Sequence, residues 1–143
     1  MGPDQPFLGS EVAASINASM LALMDANIPI RATVLATACA VLNRTNAPRE
    51  RVLDPDSREE AFVVIDPSPQ EEEDAESVHV FAFLISGYNP KNPPKSQIKA
   101  QLAFSSSKGL TDLQLRSQII PIAEESVIQI LDHIRTSIKQ RFE

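Results

Sequence analysis

Four carboxylates, Asp54, Asp56, Glu59 and Glu60, stand within one short stretch, VLDPDSREEA. Paired carboxylates can hold a divalent cation through oxygen ligands, or divide the work of general acid and general base. A polar turn between two strands accounts for the same four residues. Two histidines are the other candidates for proton transfer. His79 lies in an aromatic and β-branched run and His133 in a helical pattern, and both read as structural or surface positions. Cys39 is the only cysteine, so no internal disulfide can form. Within its apolar run it reads as a small buried hydrophobe. No glycine-rich phosphate loop, Ser-His-Asp or Cys-His arrangement or metal-ligand cluster stands out in the sequence. Neither a metal nor a cofactor is expected.

The chain has 143 residues, with 13 Lys and Arg against 19 Asp and Glu, for a net charge of −6. That argues against binding nucleic acid through the overall field, which needs lysine and arginine to neutralise phosphates. A local patch drawn from Arg44, Arg49, Arg51, Lys91, Lys95, Lys99 and Lys108 is left for contact with RNA or a partner. Taken singly, each also reads as an ordinary solvated cation. A hydrophobic content of 43% is enough for one domain with a core, or for part of one. The N-terminal MGPDQPFLGS has no basic region followed by an apolar one. The longest apolar run falls short of the ~20 residues needed to span a bilayer. A soluble, intracellular chain is expected.

The elements that must position these residues begin with an amphipathic helix over 13–27. Val12, Ile16, Met20 and Leu23 recur at helical spacing, with Leu21 and Met24 widening the stripe. Ser10 is the expected cap, Glu11 suits the first turn, and Asn27 with Pro29 should end the helix. Residues 32–42 read as a buried strand and 61–65 as a short one. Residues 66–77, with five acidic side chains over SPQEEEDAES, read as a mobile acidic loop at a hairpin tip. Residues 78–85 are the clearest strand, and 98–104 alternate as a half-solvated one. Residues 105–109 read as a turn. A last helix opens at Thr111, with Asp112 behind it. Its stripe is Ile120, Ala123, Val127, Leu131, Ile134, Ile138 and Phe142, and Pro121 should kink or restart it. The order predicts an α+β fold, with two helices on one face of a mostly antiparallel sheet.

The helix with its DANIPI exit, the apolar strand, LDPDS, and SSSKGL before a long helix together resemble the C-terminal half of the RNase PH family. The likeness runs from residue 9 to the end. It is nearest to the non-catalytic RNase PH-like core subunits of the eukaryotic RNA exosome. The resemblance implies an RNase PH-like (ribosomal protein S5 domain 2-like) sheet lacking its N-terminal half. Such a partial domain would expose a sheet edge or face, so a homodimer or a partner-dependent fold is expected. Active members bind phosphate through a Thr-Arg pair at the start of this helix and place two aspartates after the long strand. The first pair falls on Glu11 and Val12, the second on Asp54 and Glu60. Glutamate repels phosphate, and valine cannot make the bidentate contact of arginine.

The implied function is a structural subunit of the exosome ring without catalysis. It would serve RNA processing and 3′-to-5′ degradation through assembly and the RNA channel, in the nucleus, nucleolus and cytoplasm. Its partners would be other RNase PH-like exosome subunits, with weak RNA contact and no membrane. The alternatives are an active exoribonuclease, phosphorolytic or metal-dependent, using Asp54 and Glu60, and a stand-alone interaction domain unrelated to RNA.

Overall fold

The apolar run after the first helix becomes strand β1, Thr33–Asn43, and residues 35–42 are buried without interruption. A strand with no polar alternation is buried on both faces and needs cover on both. The computed structural model, which describes residues 8–43, 61–87, 98–109 and 113–142, supplies that cover. The elements are α1 (Gly9–Asp25), β1, β2 (Ala61–Ile65), α2 (Pro69–Asp74), β3 (Ser77–Ser86), β4 (Lys99–Gly109) and α3 (Leu113–Phe142). The architecture is α+β: one antiparallel sheet of order β2-β1-β3-β4, with helices against it.

Side chains alternate across a strand, so the register assigns each residue to a face. Ala36 opposes Ala82 and Ala38 opposes Val80, and these four pack with Ala13 of α1. Leu35, Cys39 and Val41 lie on the other face with Phe81, Phe83 and Ile85. There they pack with Ile119, Ala123, Val127 and Leu131 of α3. The two long helices therefore cover opposite faces, correcting the expectation of one shared face. The cause is β1 itself, which is apolar on both sides and cannot leave one in water.

Three further expectations change. Residues 66–77 do not form a loop at a hairpin tip. β2 and β3 both pair antiparallel with β1, which lies between them, so they run parallel to each other and cannot be joined by a hairpin. The link crosses β1 through α2, and Glu76 N–H donates to the Val41 carbonyl at 2.8 Å. The serine run 105–109 is not a turn. It continues β4 opposite residues 77–81, with an irregularity in the pairing next to Ala82 and Phe83. Pro121 does not restart α3, which is helical from Leu113 to Phe142. Its buried stripe starts at Ile119, and Ile138 and Phe142 are exposed.

α1 stops as its sequence indicates. Asn27 takes a left-handed φ of 56°, and Ile28 N–H donates to the Leu23 carbonyl at 3.1 Å. Thr111 and Asp112, expected to open α3, lie outside the described residues. Among the described residues, no helix is long and apolar enough to cross a membrane.

Candidate functional site

The backbone N–H groups that open a helix have no partner within it and carry the positive end of the helix dipole. At α1 those groups belong to a segment, Gly9-Ser10-Glu11-Val12, with no cationic side chain. Leu8 stands at the N-cap position without a side-chain cap, and Ser10, the expected cap, lies inside the first turn. The cap comes instead from α2. Glu72 accepts from Gly9 N–H at 3.0 Å and from Ser10 N–H at 2.7 Å, across more than sixty residues of sequence.

Local chemistry explains why α2 exists to deliver that carboxylate. Ser68 Oγ accepts from Glu71 N–H at 3.3 Å, and Glu71 Oε1 accepts from Ser68 N–H at 3.2 Å. This reciprocal box, with Pro69 at the first helical position, nucleates six residues of helix inside an acidic run. Glu71 and Glu72 are consequently buried, where a solvated loop was expected. The signal was in the sequence as Ser-Pro-Gln-Glu, but five acidic residues argued for solvation instead. Gly9 is fitted to the same junction. A Cβ there would come within 2.8 Å of Val78 Cγ1, so α1 approaches β3 more closely than any side chain permits.

The result is an anion-seeking helix end already occupied by the protein's own anion. Glu11 is exposed beside it, and Val12 packs onto the small-residue face of the sheet. A free phosphate arriving here would meet two carboxylates and no cation from α1.

Asp54, Asp56, Glu59, Glu60, Arg44, Arg49, Arg51, Lys91 and Lys95 lie outside the described residues. Lys99 and Lys108 are exposed at opposite ends of β4 and form no common patch. Cys39 is fully buried, and burial pushes its thiol up to about 12, so it packs rather than reacts. His133 is exposed on α3. Among the described residues no group of three His, Cys, Asp or Glu could hold a metal ion.

His79 is buried in a small polar island on the α3 face. Its Nδ1 hydrogen-bonds with Ser107 Oγ at 2.7 Å and its Nε2 with Ser77 Oγ at 2.9 Å. The ring stacks on Phe81 with centroids 5.9 Å apart. Alongside, Arg116 Nη2 donates to Ser105 Oγ at 2.7 Å. Burial first, and the Arg116 charge second, hold the imidazole below its ordinary value. A neutral ring can donate at one nitrogen and accept at the other, which satisfies both serines. Ser105 and Ser107 escaped sequence reading because the serine run resembled a turn.

Beside α1 runs an open groove of about 650 Å³, lined by Leu8, Val12, Ile16, Met20, Leu23 and Val34, with Glu11, Ser15 and Ser19 as its polar side chains. It offers shape and apolar surface and a single carboxylate. No protein-family model matches the chain.

Proposed function

We propose that the chain is a non-catalytic RNase PH-like subunit of the RNA exosome ring, serving RNA processing and 3′-to-5′ degradation through assembly and formation of the RNA channel. One observation carries the absence of catalysis. The helix end to which the resemblance assigns phosphate binding holds the Glu72 carboxylate on Gly9 and Ser10, with Glu11 beside it. Phosphorolysis requires inorganic phosphate as the attacking group, and a site that presents carboxylates to it lacks the charge to hold it. The four-stranded antiparallel sheet with helices against it is compatible with an α+β fold, the class to which the RNase PH-like reading belongs. The partners on this reading are other RNase PH-like ring subunits, in the nucleus, the nucleolus and the cytoplasm.

Incubating the purified chain with RNA and inorganic phosphate tests this. No nucleoside diphosphate should be released. Release that disappears in Asp54→Ala would establish the exoribonuclease alternative, and chelator-sensitive release of monophosphates would establish its metal-dependent form. Assembly is tested separately, by co-purification and mass spectrometry for RNase PH-like subunits. Their absence would favour a stand-alone interaction domain.

A further inference from the structure

Besides the outer side of the five-residue β2, two stretches of strand edge have no β neighbour among the described residues. The first is the beginning of β1, because pairing with β2 starts only at Cys39. Here α1 stands in for the missing strand. Ala36 N–H donates to Asn17 Oδ1 at 2.7 Å, Asn17 Nδ2 donates to the Ala36 carbonyl at 2.9 Å, and Val34 N–H donates to Met20 Sδ at 3.0 Å. The second stretch is β4, eleven residues long and paired with β3 alone. None of the side-chain hydrogen bonds found at β1 recurs along it among the described residues.

Long open edges invite another strand, and proteins blunt them with prolines, charges and bulges. The interior of β4, AQLAFSSS over residues 100–107, has no proline and no charge, and its one irregularity is Ala103, which has no partner between Leu102 and Phe104. Phe104, on the α1 side of the sheet opposite Ala82, is left 46% exposed. The only charges are Lys99 and Lys108, one at each end, and both are exposed. Glu73 and Glu76 line the cleft beside Lys108 but form no ion pair with it.

We propose that β4 is a docking edge for an extended strand of a different protein chain, one that carries a carboxylate at each end. The charges select this occupant over a second copy. Antiparallel pairing of two β4 strands brings Lys99 of each copy close to Lys108 of the other, at both ends of the ladder. Parallel pairing sets each lysine near its own counterpart. Like charges facing across strands destabilise the pair, and opposite charges stabilise it. The uncharged interior supplies backbone hydrogen bonds without demanding a particular sequence, as in other strand-addition sites. The edge chemistry is the same whether or not the chain is RNase PH-like.

Two synthetic peptides matching β4 in length test this, both alternating valine and threonine. One has glutamate at each end and the other lysine. With the isotope-labelled chain, the glutamate-ended peptide should protect β4 amides from hydrogen exchange. It should bind about tenfold more tightly than the lysine-ended one at low salt. The double variant Lys99→Glu, Lys108→Glu, at two exposed positions, should reverse that preference. Lack of β4 protection with either peptide, or an unchanged preference in the variant, would overturn the proposal. So would self-association by sedimentation with protection confined to β4, since the occupant would then be a second copy.

Discussion

Under α1 the sheet presents Ala36, Ala38, Val80 and Ala82; under α3 it presents Leu35, Cys39, Val41, Phe81 and Phe83. The first surface is shallow, so α1 comes close and is located by directed contacts. These are Glu72 on its first N–H groups, Asn17 on Ala36, and Gly9 against Val78. The second surface is bulky, and α3 is held mainly by the volume it buries. Its polar contacts include Thr37 Oγ1 to Ser126 Oγ at 3.4 Å and Arg116 to Ser105. Apolar burial is strong but non-directional, whereas a hydrogen bond to a strand edge or helix end sets position and angle. One face supplies more of the bulky apolar burial and the other more of the directed contacts that position α1.

The largest expected effect breaks the α3 face. Phe83→Ala removes a side chain 1% exposed and should cost about 3–5 kcal/mol in urea unfolding. A loss under 1 kcal/mol would mean that α3 does not depend on this core. Asn17→Ala comes next and attacks the α1 face. It leaves the Ala36 N–H and carbonyl without their partner at the β1 edge, at a cost of about 1–3 kcal/mol. Amide exchange should quicken at Ala36 first, and uniform quickening would show that Asn17 is not a local lock. Glu72→Ala uncaps α1 from sixty-three residues away and should cost about 0.5–2 kcal/mol. It should also speed exchange at Gly9 and Ser10.

The smallest effect concerns the polar island of the α3 face. The folded chain holds His79 below its ordinary 6.5, so the unfolded chain binds a proton more readily. The stability due to neutral His79 is therefore complete above about 6.5 and is lost as pH falls through the lower folded value. The urea midpoint should drop on acidification below pH 6.5. His79→Gln should flatten that part of the slope, with exposed His133 left in place as a control. An equal slope in the variant would remove His79 as the cause.

Much of this fold is legible in the order of residues. The 3.6-residue stripe of α1, its stop at Asn27, the two-sided apolar run of β1 and the pattern of β3 all arise from interactions within a few positions. The α3 stripe was legible at Ala123, Val127 and Leu131, but Ile119 rather than Ile120 opens it, and Ile138 and Phe142 are exposed. Other features were present but outvoted. Ser68 and Glu71 form a capping box that the acidic run disguised, and Ser105 to Ser107 extend an edge strand although serine runs suit turns. Charge composition weighs against burial only when no specific partner exists, and Glu72 has two in the N–H groups of Gly9 and Ser10.

By itself the sequence determined that α1, β1, β2, β3 and α3 are helix or strand, that β1 is buried, and that α1 begins without a cation. Those properties follow from local backbone preference and from periodicity. Tertiary structure alone decided that α1 and α3 take opposite faces, that β2 and β3 flank β1, and that Glu72 fills the end of α1. It also decided that the start of β1 is closed by Asn17 and Met20, while β4 has no such cover among the described residues. Each of these joins residues distant in the chain, and such contacts depend on which surfaces meet once the sheet has formed.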